Sequence, residues 1–301
     1  MPCRISVGVL VIAFAAQSGA QGADLQSLLD RLGTYLVGYE EALGVVVADE
    51  TYQQQTTRPG PRPRVDMDAT GVPIASPRPT LSETRRLQST VSFMRLPGGA
   101  AWLGIREVRT IDGRSLVAAE TLTSILASRT GDARAQAAAL ALANAEHNLG
   151  NSRSVNMPTL PLALLDPHNR HRMTFRLAGH DSVRGIRTTK IAFEEKGAPT
   201  LITGGTAGRW VISRGLVWIE NPTGAVWRAQ VFYRDYVPGL ERRAPEAEVR
   251  VDFVRHSALG MLVPEKMREV FQMEGGRGEG EARYSNYRRF ATSARIIPPP
   301  A

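Results

Sequence analysis

The sequence predicts an α+β fold: a large, twisted antiparallel sheet with an N-terminal helix and a central helical pair packed on one face. Three observations carry this. Residues 208–236 read GRWVISRGLVWIE, NPTG, AVWRAQVFYRDY, two strands joined by a turn in which Pro222 presets φ and Gly224 is free to take φ > 0. In the second arm Trp227, Ala229, Val231 and Tyr233 share one side and Arg228, Gln230 and Arg234 the other, with Phe232 the exception. Such alternation marks an antiparallel strand with one dry face and one wet. Finally, leucines recur at helical spacing over 25–43, and LVAAETLTSILASR and DARAQAAALALANAEHNL are rich in Ala and Leu without Pro or Gly.

The first 20 residues read as a signal peptide. Arg4 gives a positive start, ISVGVLVIAFAA supplies the apolar run, and small residues follow in QSGAQGA. Cleavage after Ala20 puts Ser18 and Ala20 at the two small-residue positions. The apolar run is too short to cross a hydrocarbon core, which takes about 20 residues. Cys3, the single cysteine, precedes that run, so it does not stand where a lipid-anchored cysteine would. The expected product is a cysteine-free exported protein, periplasmic or secreted, with a core that needs no disulfides.

In the expected mature chain, Asp24 is placed to cap a helix whose stripe is Leu25, Leu28, Leu29, Leu32, Leu36, Tyr39 and Leu43. Gly44 ends it, and VVVADETYQQQTTR is a first strand, so 21–57 hold one helix and one strand. Residues 58–80 carry six prolines and two glycines, a loop composition. A hairpin follows, TRRLQSTVSFMRL and AAWLGIREVRTI around Pro97-Gly98-Gly99, with Asp112-Gly113 as its closing turn. Then come the two helices over 116–149 and a short helical turn at 160–165. From Met173 the chain returns to strands: MTFRLAGHD, RGIRTTKIAFEE, PTLI, the central hairpin and EVRVDFVRH. LGMLVPEKMREVFQM reads as a strand pair broken at Val263-Pro264, GGRGEGE as a flexible turn, and ARYSNYRRFATSARI as a last strand. Residues 81–297 are expected to form one domain with 21–57.

The net charge is +8, and all but three of the 37 basic residues are Arg. This balance suits anionic partners, an anionic membrane surface among them. Nucleic acid is not expected, because the Arg residues are scattered along strands and no helix-turn-helix or aromatic RNA-binding motif accompanies them.

Chemistry-bearing patterns are sparse. His168 and His171 with Asp166 have donor types found in zinc sites, but the spacing and the missing fourth ligand read as a loop that contains histidines. His180-Asp181 offers a base and an orienting carboxylate without a nucleophile elbow. GGRGEGEA does not sit between a strand and an amphipathic helix, and ITGGTAGRW lacks the Lys-Ser/Thr pair of a phosphate loop. Glu40-Glu41 and Glu194-Glu195 split to opposite sides of their elements, against paired acid–base work. No catalytic set, metal or cofactor is expected.

The order helix, long antiparallel meander, GLVWIENPTGAVWRAQVFY, LVPEKMREVFQ and EARYSNYRRF resembles a group of uncharacterised exported bacterial proteins. More distantly it is similar to the lipoprotein-carrier superfamily of the periplasm, best over 85–112 and 173–295, while the helices at 116–149 depart from that pattern. The resemblance implies a sheet curved around a helical plug, with an apolar face able to hold an acyl or other greasy group, and it implies no catalytic residues. The aromatic set Trp102, Trp210, Trp218, Trp227, Phe232, Tyr233 and Phe253 sits mostly in strands, as core beneath the helices or as the lining of a cavity. The residues expected to contact a ligand are Trp218, Trp227, Val231, Tyr233, Val251 and Phe253. The expected function is an exported, non-enzymatic binding or carrier-like protein for an apolar or amphipathic, lipid-like ligand. The alternative is an envelope structural or protein-interaction module with a protein partner, and the third is a periplasmic hydrolase using His168, His171 or His180.

Overall fold

Strand alternation and one leucine-striped helix decide how this chain folds. The computed structural model describes residues 13–61, 66–67, 73–74, 78–93, 104–116, 132–204, 209–238, 246–273 and 275–290. Residues 1–12, most of the Pro-rich segment, the Pro97-Gly98-Gly99 turn, Trp102 and residues 117–131 of the first central helix lie outside the described residues.

The strands in chain order are β1 (Val46–Pro59), β2 (Asp66–Met67), β3 (Pro73–Ile74), β4 (Thr80–Ser92), β5 (Ile105–Ile111), β6 (Arg114–Ser115), β7 (Met173–Val183) and β8 (Ile186–Glu195). They continue with β9 (Ile202–Gly204), β10 (Arg209–Ile219), β11 (Val226–Asp235), β12 (Ala247–His256), β13 (Met261–Met273) and β14 (Gly276–Arg289). Strands β2 and β3 pair only with each other. The other twelve form one sheet in the order β6-β5-β4-β1-β14-β13-β12-β11-β10-β8-β7, with β9 paired to β10. Closing this order brings β1 from the start of the chain against β14 at its end.

The register separates two chemically different faces. One row across the sheet runs Leu177, Ile191, Val217, Ala229, Val251, Met267, Ala282, Tyr52, Leu87 and Ile111. On the opposite side the adjacent row runs Lys190, Trp218, Arg228, Asp252, Lys266, Arg283, Thr51, Gln88 and Thr110. The period of two thus places an apolar inner face against the helices and a charged outer face away from them.

Helix α1 (Ala13–Leu43) supplies the main cover of the inner face. Its stripe is as expected: Leu28, Leu32, Leu36 and Leu43 are at most 2% exposed, in one core with Val217, Ile219, Ala229, Val231, Val249 and Val251. Each such leucine contributes roughly 1.5–3 kcal/mol by leaving water. The helix starts at Ala13, so Asp24 lies within it rather than capping it; the preceding AFAAQSGAQGA holds no proline to stop it. At its far side the Asn221–Gly224 turn passes against it. Gly224 has φ +73, and a Cβ there would stand 2.3 Å from the carbonyl oxygen of Arg31, so glycine is required twice over.

Helix α2 (Asp132–Ala145) meets the sheet at β5. There the Asn144 side-chain oxygen accepts the Val108 backbone N–H at 2.8 Å, filling a ladder position beyond the reach of β6, which pairs only with Thr110 and Ile111. At the opposite edge, β7 is interrupted by a bulge between Leu177 and His180, where Gly179 takes φ +95. A short helix α3 (Leu160–Leu164) sets Leu162 and Leu164 into the core, and a 3₁₀ turn, Pro167–Arg172, leads into β7. No described helix is long and apolar enough to cross a membrane.

Two stretches differ from expectation. The segment around Val263-Pro264 is one continuous strand, β13, because Pro264 falls at a bulge where Phe253 pairs with it and Asp252 with Lys266. GGRGEGE is the start of β14 and not a flexible turn. Gly278 and Gly280 face inward under aromatic rings: a Cβ at Gly278 would lie 2.0 Å from Phe271 Cζ, and one at Gly280 would lie 2.7 Å from Tyr52 Cε2. Glycine in this strand makes room for rings lying flat across it.

Candidate functional site

The inner face has two halves. On strands β5, β4, β1, β14 and β13 polar and charged residues are buried among the apolar ones, and they are covered by the segment that follows α2. Glu50 and Arg106 form a two-pronged pair, with Arg106 Nε donating to Oε2 at 2.6 Å and Nη2 to Oε1 at 2.9 Å. Their side chains are 0% and 6% exposed. The same Nη2 donates to the Asn156 carbonyl at 2.9 Å. Asn156 in turn donates to Tyr52 Oη and Asn148 Oδ1, while Gln54 holds Asn148 and the Leu149 N–H. Glu269 accepts from the Tyr52 hydroxyl and from Arg153, whose guanidinium lies 3.6 Å from the Phe271 ring centre. Every charge here has an opposite partner and added hydrogen bonds, the condition under which buried ions are tolerated. This arrangement reads as a fastening and presents no free nucleophile or base.

On strands β12, β11, β10, β8 and β7 the inner face is aliphatic and aromatic, and α1 and α3 cover it. Trp227, Val231, Tyr233, Val251 and Phe253 all lie buried in this half, at 6%, 0%, 2%, 0% and 0% exposure. Trp218 is equally buried, at 6%, and belongs to the same core cluster, but it takes the other side of β10. A bulge between Trp218 and Ile219 leaves it paired with Lys190 and Arg228 on the outer face. There its indole N–H donates to Asp181 Oδ2 at 2.9 Å and the Arg228 guanidinium sits 5.6 Å above its ring. The five inner residues are packed against leucine side chains. Two of them keep a buried donor without an acceptor among the described residues: Trp227 Nε1 and Tyr233 Oη. Burial alone pushes the Tyr233 hydroxyl pKa upward, so it stays a neutral donor.

A recess of about 10 Å³ opens where β10, β11 and β8 meet, lined by Glu194, Ile212, Ser213, Arg214, Phe232, Tyr233 and Arg234. That is room for about one water molecule. Beside it, Glu195 is buried at 2% exposure, while Glu194 is exposed. Its carboxylate accepts from Leu201 N at 2.6 Å, Ser213 Oγ at 3.2 Å and Ser213 N at 3.3 Å. Burial raises its pKa, and these donors and Arg172 only partly oppose the rise. A carboxyl raised by folding stabilises the fold below its unfolded pKa and loses that contribution as pH climbs through the folded value. Urea midpoints of the wild type should therefore fall, relative to Glu195→Gln, as pH rises from the ordinary carboxylate range through the raised one. Parallel curves would show that Glu195 does not titrate differently in the folded state.

The histidine patterns do not assemble into reactive groups. His168 Nδ1 bonds Asp166 Oδ1 at 2.8 Å with its side chain 75% exposed, and Asp166 also caps the 3₁₀ turn through the His168 N–H. The His171 carbonyl accepts from Lys196 Nζ at 2.8 Å. His180 Nδ1 meets Thr189 Oγ1 at 3.1 Å, whereas Asp181 turns to Trp218 and Lys190. The base–orienter pair suggested by adjacency is thus split. Among the described residues no three His, Cys, Asp or Glu side chains gather as a metal group.

Glu50, Arg106, Arg153, Asn156 and Glu269 escape sequence reading because they come from four separate segments. The usable signal was the in-phase run Ala48, Glu50, Tyr52, Gln54, which puts a carboxylate on a buried face, together with glycines at every second position from 276 to 280.

No family model and no curated protein matches the sequence. Among solved structures, the chain is similar to a domain assigned as an outer membrane lipoprotein-sorting protein from Vibrio parahaemolyticus, with 9% identity, 88% of this chain and 94% of that chain covered, and a TM-score of 0.38. It is also similar to a DUF1329 family protein from Desulfovibrio piger, at 12% identity over 88% and 98% of the two chains with a TM-score of 0.31. MucB shares 12% identity over 87% and 93%, with a TM-score of 0.23.

Proposed function

We propose that this chain is an exported, non-enzymatic binding protein that takes an apolar or amphipathic ligand between α1 and the aliphatic half of the inner face. The observation that carries this reading is the pair of stranded donors on that half, Trp227 Nε1 and Tyr233 Oη. A buried donor left without an acceptor costs about 1–3 kcal/mol, and the polar end of a lipid-like ligand carries the oxygens that would relieve it. The surrounding valines and leucines offer a hydrocarbon tail the same contacts that α1 makes. Entry therefore requires part of the leucine stripe to give way to the tail.

Native mass spectrometry of the chain isolated from the cells that make it tests this reading. The expected result is a copurifying alkyl-chain species, retained less well by Trp227→Phe, which removes the donor and keeps a ring. Bare protein that also fails to take up added fatty acid or phospholipid would sink the proposal. The second reading, an envelope interaction module, is favoured by the complete leucine cover and the 10 Å³ recess. It predicts bare protein whose binding to an envelope protein survives Trp227→Phe.

A further inference from the structure

The outer face carries a cation surplus whose layout is regular across four strands. Arg228 and Arg250 both reach Asp252. Lys266, Arg268 and Arg283 all reach Glu281, Lys266 at 2.7 Å, Arg283 at 2.7 Å and Arg268 at 3.1 Å. Five cations thus share two carboxylates on adjacent strands β11 to β14. Burial by itself would raise the Glu281 pKa, but the bonds from Lys266 and Arg268 and the field of Arg283 bring it below the ordinary range, so its charge is fully committed to its neighbours. Glu248 is engaged by Gln230. The flanking register positions on this face hold Arg214 opposite Glu194, a buried Arg234 opposite Ile212, and Arg277 two residues from Glu279, so the surplus is centred on the five cations. Two of the guanidiniums face solvent openly, Arg268 at 58% and Arg283 at 67% side-chain exposure.

The same face ends in an exposed indole. Trp210 shares its side of β10 with Ile212, Arg214, Leu216 and Trp218 by strand alternation, and it is 40% exposed. Phe232, with the Arg214 guanidinium 6.0 Å from its ring centre, is half-buried beside them. Guanidiniums in excess over carboxylates, and an exposed tryptophan at the far end of the same face, are the two features that suit a lipid–water boundary: forks for phosphate oxygens and a ring that rests at headgroup depth.

We propose that the outer face of β10–β14 docks on an anionic phospholipid bilayer, with Arg268 and Arg283 meeting phosphates and Trp210 resting among the headgroups. This surface is opposite the inner half discussed above, and the proposal stands whether or not that half takes a ligand. The test is cosedimentation of the full mature chain with vesicles of phosphatidylglycerol and phosphatidylcholine, against vesicles of phosphatidylcholine alone, at low and high salt. The expected result is binding to the anionic vesicles only, weakened by salt, with Trp210 fluorescence blue-shifted relative to Trp210→Phe. Arg268→Glu/Arg283→Glu should weaken that binding by roughly twentyfold or more, given the contribution of each basic residue near an anionic surface. Arg58→Glu/Arg114→Glu, with the same net charge at two exposed sites outside this patch, should weaken it far less. Equal loss in both pairs, binding indifferent to vesicle charge, or no binding at low salt overturns the assignment. So does tighter binding to heparin than to anionic vesicles with the same dependence on Arg268 and Arg283, which would make the face a polyanion site. Circular dichroism of each variant separates these outcomes from loss of fold.

Discussion

Glu50→Ala is expected to destabilise the fold by about 3–5 kcal/mol, the usual result of removing one partner from a buried ion pair. Arg106 would lose its carboxylate partner and keep hydrogen bonds to Asn156, through the carbonyl at 2.9 Å and side chain at 3.4 Å, with its guanidinium 5.1 Å from the Tyr52 ring centre. Replacing both members with apolar residues of similar volume, Glu50→Leu/Arg106→Met, should recover much of the loss, because desolvation of the two ions disappears together with their attraction. Urea unfolding of the two variants separates the possibilities. A single variant within about 1 kcal/mol of the wild type, the range seen for exposed pairs, would mean that water reaches this pair in solution.

The second large effect is steric. Gly278→Val places a branched side chain where the Phe271 ring lies, with ring carbons 2.0, 2.4 and 2.5 Å from the position of the first added atom. Overpacking of this kind costs roughly 1–3 kcal/mol and occasionally more, and here the neighbours leave little room to yield. Phe271 is 2% exposed and is itself held under Arg153. A thermodynamic cycle with Phe271→Ala should show strong coupling, the double variant being less damaged than the two single losses predict. Gly38→Ala provides the contrast. Its added methyl meets nothing within 4 Å, so relief of helix entropy should stabilise α1 by roughly 0.5–1 kcal/mol. If Gly278→Val unfolds at the wild-type midpoint, the ring does not lie over that glycine.

Where periodicity alone decides the outcome, the chain was readable. The leucines from 28 to 43 and the alternation from 227 to 235 each follow from one local rule, and both lie where that rule puts them. Failures came where two rules compete. Gly276, Gly278 and Gly280 look like a flexible turn when counted and like a strand when their spacing is read, and the deciding fact, rings at 271 and 52, is not local. Pro264 interrupts hydrogen bonding, yet a bulge absorbs it without ending the strand. Trp218 reads as part of the ligand-contacting set, yet a bulge one residue later, invisible in the sequence, pairs it with Arg228. The polar half of the inner face could not be assembled at all, since its charges are paired only once β1, β5, β13 and the segment after α2 converge.

The two ends of the sheet deserve comparison with a fibril tip, which grows because its last strand offers a straight row of unpaired amides. Here one terminus has its Val108 amide already taken by a side-chain carboxamide, and the other is bent out of line at Gly179. Both departures interrupt the straight row of amides that a further copy of the chain would need. Asn144→Ala, by freeing the Val108 amide, is the substitution that should first promote self-association of the twelve-stranded layer.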